Sequence, residues 1–196
     1  MVLAHQKLSW NTLQRYSMVE YEYYDWTSLI DSNARESMRK DIDLLIRNGD
    51  YWKNSPPFQT NVNIFGLPDQ NWNNLKMSFI WSAFAYMKRE AQIKTIKSWG
   101  YKTNVDTQEN RDTYWHQHNR PECITLSGVF YLELPQGVDE TTSGTEFAPN
   151  GPENHDYFFA PAKVGNWIIF PGKSWHRPGI LTSKEWRYIV AADMEI

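Results

Sequence analysis

The chain has 196 residues, a net charge of −3 and 41% hydrophobic residues, with a mean hydropathy of −0.65. That is enough apolar material for the core of one domain, with no run suited to a membrane span. Nor is there a basic excess that would drive tight nonspecific nucleic-acid binding, although a local basic patch stays compatible with these numbers.

The single cysteine, Cys123, excludes an internal disulfide and suits a reducing, cytoplasmic location. The opening stretch MVLAHQKLSW has no basic region ahead of an apolar one, so no secretory signal is expected. Ten Trp, eleven Tyr and nine Phe predict an aromatic-rich core in which some rings line a pocket.

In chain order, the spacing predicts a first helix over 34–48, with Met38, Ile42, Leu45 and Ile46 on one face. Ser32 or Asn33 can cap its start and Gly49 follows its end. The stretch NSPPFQTNVNIFG reads as a loop entering one strand, in which Thr60, Val62 and Ile64 alternate. A longer helix is expected over 71–99, because Trp72, Leu75, Phe79 and Ala83 recur at helical spacing. Gly100 would end it, with a break near Glu90 allowed.

From about Asp112 the pattern changes to short strands, at 113–119, 123–134, 144–147, 156–160, 167–170 and 186–192. Turn-rich pieces such as PQGVDETTSG and PNGPEN separate them, which predicts a sandwich or barrel. The expected organisation is one domain over 1–196, with a helical N-terminal region (1–100) and a β-rich core (101–196). There is no internal repeat and no low-complexity segment.

His116 and His118 lie two apart in a strand-like run, so both imidazoles point to one face and Gln117 points away. That arrangement suits two ligands for one first-row metal ion. His176 follows 58 residues after His118, just beyond an apolar strand and the turn Pro171-Gly172. A histidine pair on one strand and a third histidine from a distant one is a way for a barrel to grip a metal. His5 and His155 read as surface residues and Cys123 as a small buried side chain. Trp115, Trp175 and Trp186 each neighbour a site residue, so on a strand they would pack behind the site.

The segment HQHNRPECITLSGVFYL, followed by GNWIIFPGKSWHRPGILTSKEWRYIVAAD, resembles the Fe(II)- and 2-oxoglutarate-dependent oxygenases. It is nearest their subgroup with a His-x-His motif ahead of a Ser-Gly-Val-aromatic-Tyr-Leu strand, here Ser127 to Leu132. The resemblance spans roughly residues 112–194, with a looser likeness in PPFQTNVNIF and the long helix. It implies a mainly β protein with α elements, in which a double-stranded β-helix (jelly-roll) core has N-terminal helices packed outside. It further implies a dioxygenase that uses Fe(II) and the cosubstrate 2-oxoglutarate to hydroxylate a small molecule or a side chain.

Carried over by motif, His116 matches the first iron ligand and His176 the last. Arg187 matches the arginine that pairs with the distal carboxylate of 2-oxoglutarate, a task its rigid fork of donors suits. Tyr131 matches a strand position whose hydroxyl contacts the same carboxylate. Two departures stand out. His118 occupies the place where most members carry Asp or Glu, so a displaced carboxylate (Glu122, Glu133 or Glu146) is an alternative third ligand. Ile189 stands where many members have Ser or Thr, which leaves that contact to Tyr131, Ser127, Thr125 or water.

A second resemblance is to the cupins, through His116, His118 and Glu122, then Gly128, then Gly165 to Pro171 and His176. Cupins share the jelly-roll and use three histidines with or without Glu, and this reading needs no 2-oxoglutarate. A jelly-roll binding module without turnover is the third possibility. Substrate contacts are expected from the N-terminal helices and the 136–144 loop, and an oligomer is compatible with all three readings.

Overall fold

Strands β4 (Thr125–Glu133) and β9 (Arg187–Glu195) form the centre of the structure, and both are buried on two faces. The computed structural model describes residues 21–51, 58–107, 115–118, 122–138 and 143–196. Around this centre run β1 (Glu22–Asp25), β2 (Phe58–Gln59), β3 (Thr95–Thr103) and β7 (Asn166–Pro171). Together they make a six-stranded antiparallel sheet in the order β1-β7-β4-β9-β3-β2. A second sheet has the order β6-β5-β8, from Phe158–Pro161, Gly144–Phe147 and His176–Pro178. This is the expected double-stranded β-helix with helices outside it.

Alternation along each strand sorts the side chains into two cores. Leu126, Phe130, Leu132, Trp167, Ile169, Val190, Ala192 and Met194 face outward. There they meet Met38 and Ile42 of helix α1 (Ser32–Arg47) and Trp72, Leu75, Phe79 and Ala83 of helix α2 (Gln70–Met87). Val129, Tyr131, Ile168, Phe170 and Ile189 face inward and pack on Phe147 and Ala160 of the small sheet.

Gly128 explains the Ser-Gly-Val step in this packing. It faces the helices, where an added Cβ would lie 2.8 Å from the Phe79 ring and 2.9 Å from Ile169. Gly100 does the same for α1, with Ile42 at 2.6 Å from the Cβ position. Buried tryptophans find acceptors in the helices: Trp167 Nε1 donates to Ser78 Oγ (2.9 Å) and Trp26 Nε1 to Ser82 Oγ (2.9 Å).

Several sequence expectations are corrected. Helix α1 is capped by Asp31, whose carboxylate accepts from Ala34 N at 2.8 Å, rather than by Ser32 or Asn33. Helix α2 ends at Met87, with Lys88 in the left-handed region (φ 56°). The remainder of the expected 71–99 helix turns into β3, where Gly100 sits mid-strand rather than at a helix end. Ile93, Thr95 and Ile96 are β-branched, and pairing with all nine residues of β9 outweighs any local helical periodicity.

The strand read around Thr60, Val62 and Ile64 is only Phe58–Gln59 with a bridge at Thr60, and Ile64–Gly66 is a 3-10 turn. Within the 113–119 strand, residues 113, 114 and 119 lie outside the described residues, and of 115–118 only His116 forms a bridge. The first 100 residues also supply β1, β2 and most of β3, so the large sheet draws on both parts of the chain. Among the described residues no helix is long and apolar enough to cross a membrane.

Candidate metal centre and cavity

His116 and His176 come together through backbone pairing. Each donates its N–H to the other's carbonyl at 3.1 Å, and His118 N donates to Gly172 O at 2.7 Å. A short stretch around the histidine pair is thereby laid along the edge of β8. The three rings converge, with centroids 4.2 to 5.0 Å apart. One nitrogen from each ring lies within 4.8 Å of the others, close enough for a single ion to bind all three.

The tautomers suit that task. His176 Nδ1 is 2.9 Å from the Ser174 carbonyl, which can only accept, so Nδ1 carries the proton and Nε2 the lone pair. His118 Nδ1 lies 2.5 Å from Asp193 Oδ2, with the same consequence for its Nε2. That Nε2 is buried and has no hydrogen-bond partner among the described residues. A buried nitrogen without a partner is costly unless something binds there, and a divalent cation suits this all-imidazole donor set. Burial holds the His176 imidazolium well below the ordinary histidine range, and the adjacent His116 and His118 push the same way against the Ser174 carbonyl. The ring is therefore neutral and able to ligate near neutrality.

None of the alternative carboxylates joins the histidine group. Glu133 pairs with Arg39 at 3.0 Å, Glu146 pairs with Arg177 at 2.9 Å, and Glu122 is exposed on a turn. Among the described residues, the group contains the three histidines alone.

The rings open onto a cavity of about 430 Å³ between the two sheets. Its walls follow the inward alternation: Ser127, Val129 and Tyr131 from β4, and Arg187, Ile189, Ala191 and Asp193 from β9. Arg187 is 2% exposed, and its Nη1 donates to Ser143 Oγ (3.2 Å) and Gly179 O (3.3 Å). Tyr131 is 1% exposed and its hydroxyl is 2.9 Å from Thr145 Oγ1. Burial raises the Tyr131 pKa, opposed by the nearby Arg187 charge and the Thr145 bond, so this hydroxyl keeps its proton.

Arg187 and Asp193 are six residues apart on one strand, roughly 20 Å between their Cα atoms at the usual rise. The cavity thus has an imidazole end and a guanidinium end. Tyr131 and Thr145 stand with Arg187. Ser127 sits at the other end, where its hydroxyl donates to Asp193 Oδ1 at 2.7 Å.

Sequence reasoning missed four residues here. Trp99, expected in a helix, stacks on His118 with planes 7° apart. Thr145 partners Tyr131. Thr103 is directly opposite Arg187 in the β3–β9 register, buried, with Oγ1 unpartnered among the described residues. Asp193 had a readable signal: it lies an even number of residues from Arg187 and is an acid within the apolar run YIVAADM. Trp115, Trp175 and Trp186 stay off the cavity wall; Trp115 lies under the Arg177 guanidinium (4.3 Å) and Trp186 under Lys102 Nζ (4.6 Å).

Neither a protein-family model nor a curated protein sequence matches the chain. Solved structures do. AviO1 from Streptomyces viridochromogenes Tue57 superposes with a TM-score of 0.65 at 11% identity, over 91% of this chain and 90% of that one. A prolyl-4-hydroxylase from Pseudomonas putida gives 0.64 at 9% identity, over 91% and 94%. SnoK, a non-heme alpha-ketoglutarate-dependent carbocyclase from nogalamycin biosynthesis, gives 0.63 at 10% identity, over 90% and 79%. These likenesses establish the fold.

Proposed function

We propose that the protein is an Fe(II)- and 2-oxoglutarate-dependent oxygenase of the hydroxylating type. The observation that carries this reading is the two-ended cavity, with three convergent imidazoles at one end and the buried Arg187 at the other. A molecule that fills both ends needs a metal-chelating group and an anionic group on one short skeleton, which describes 2-oxoglutarate. The fold shared with a 2-oxo-acid-dependent carbocyclase and a prolyl hydroxylase supports it.

On this reading His116, His118 and His176 hold the ion through one nitrogen each. Arg187 binds the distal carboxylate, and the Tyr131 hydroxyl donates to it beside Thr145. Val129, Ile189 and Phe170 keep the middle of the cavity apolar and limit water. With iron, 2-oxoglutarate and dioxygen bound, such a site supplies oxidation of the 2-oxo acid to succinate and CO2 coupled to hydroxylation of a substrate C–H bond. The substrate is a small molecule or an amino-acid side chain, and the setting is the cytoplasm.

A cupin-type dioxygenase that needs no 2-oxoglutarate is the second reading, and the all-histidine donor set favours it. One experiment separates the two. Ferrous iron and 2-oxoglutarate are added without oxygen, a visible charge-transfer band is sought, and oxygen is then admitted and succinate assayed. A band and succinate are expected, with both lost in His176→Ala. Iron binding with no response to 2-oxoglutarate would replace the first reading by the second. Absence of metal uptake would leave a binding module without turnover.

A further inference from the structure

Asp193 is a carboxylate in hydrogen-bond contact with the histidine group, and it touches the residue that departs from the usual ligand pattern. Its Oδ2 accepts a hydrogen bond from His118 Nδ1 at 2.5 Å, and its Oδ1 accepts from Ser127 Oγ at 2.7 Å. The contact is built into the fold. Asp193 and Ser127 are direct partners across β4 and β9, so backbone pairing sets their separation. The His118 and Asp193 side chains are only 15% and 16% exposed. Trp99 is stacked parallel to the His118 ring, with centroids 5.6 Å apart. The Asp193 bond thus sets the tautomer and direction of the ring, leaving the unpartnered Nε2 for the histidine group.

We propose that Asp193 is a positioning residue that acts through His118 and supplies, one bond removed from the ion, the negative charge that a carboxylate ligand would otherwise place on it. The proposal rests on the three-histidine metal reading. Its physical basis is general. A ligating imidazole whose outer N–H is held by a carboxylate is a stronger donor and is pre-oriented. The outer Nδ1 of His176 meets a neutral carbonyl instead, so of these two rings it is His118 that has the charged outer partner. Three neutral imidazoles leave a divalent ion its full charge, and Asp193 offsets part of that charge without occupying a coordination position. The positions left open then stay available for a chelating cosubstrate.

The test is a Co(II) titration of the full chain, read by the visible bands that report coordination. It compares wild type, Asp193→Asn, Asp193→Ala, His118→Ala and the His118→Ala/Asp193→Ala double variant. Thermal melting of each metal-free protein runs alongside. Asp193→Ala is expected to weaken Co(II) about 10- to 100-fold. Asp193→Asn should lose less, because its amide oxygen can still accept from Nδ1. Once His118 is gone, removing Asp193 should change affinity by less than about twofold, the mark of a residue that acts through its neighbour.

Wild-type affinity in both Asp193 variants would overturn the proposal and leave the three-histidine site standing. So would an equal loss with and without His118, which would mean general damage to the fold. If Asp193→Ala fails to fold, Asp193→Asn in the two His118 backgrounds carries the same cycle. A wild-type protein that takes up no Co(II) would sink the metal reading itself, and the proposal with it.

Discussion

The outer and inner faces of β4 and β9 alternate along the same residues, yet they are built from different chemistry. Outward, Leu126, Phe130, Leu132, Val190, Ala192 and Met194 meet helices α1 and α2 in an apolar core. Inward, the same strands present Ser127, Tyr131, Arg187 and Asp193 to a cavity. Burying polar groups is unfavourable unless each is hydrogen-bonded, whereas burying apolar area is favourable throughout. The helix face therefore stabilises the fold, and the cavity face is held in place by it. Residues that would be a liability in a core become a binding surface once the opposite face secures the strands.

The largest effect should come from the helix face. Phe79→Ala removes a fully buried ring that packs on Trp167 with centroids 4.9 Å apart. It should cost about 3–5 kcal/mol in denaturant unfolding. The metal affinity of the folded fraction should stay at the wild-type value; a matching loss of affinity would show that the two faces are not separable.

On the cavity face, Arg187→Met should weaken anaerobic 2-oxoglutarate binding to the iron-loaded protein by about 10- to 100-fold, as loss of a charge-assisted hydrogen bond does. Binding of iron alone should not change. Unchanged 2-oxoglutarate affinity would remove the guanidinium end from the proposed site.

Gly128→Ala tests the contact between the faces, since the new methyl would press on Phe79, Ile169 and Trp167. Overpacking of this kind should cost about 1–3 kcal/mol, read as a lowered Tm. The flanking Ser127 and Val129 point to the other side and should keep the cavity intact.

The smallest effect is on pH dependence. The folded-state pKa of His176 lies below its unfolded value near 6.5, so the unfolded chain binds the proton first. Metal-free stability should be full above that value and fall as pH drops from there toward the lower folded pKa. His176→Phe should flatten this slope in thermal melts from pH 7 to pH 5, and an unchanged slope would show that another group is responsible.

The same two faces explain what was legible in the sequence. Strand β5 (Gly144–Phe147) and the apolar run of β7 were readable because both are short, bounded by turn residues and rich in strand formers. The three histidines and Arg187 were readable as chemistry, from residue type and spacing, and the structure brings them to one cavity. The course of 88–103 was not, because Ile96, Ser98 and Gly100 face the helices only by virtue of pairing with β9. Strand β1 was missed for a similar reason: its four residues gain strand form from β7, which lies more than 140 residues later. Asp193 could be read as an inward-facing acid on the strand of Arg187, but its partner could not, because the contact with His118 spans 75 residues of sequence.

The reciprocal His116–His176 bridge ties the histidine pair to the second sheet, and a further backbone bond runs from His118 N to Gly172 O in the turn after β7. An ion gripped by rings from both sides would turn this short seam into a cross-link between positions 60 residues apart. Metal status would then be written into backbone opening at His116, His118 and His176, with slow amide exchange when loaded and fast exchange when stripped. The centre would then serve as the clasp of the barrel.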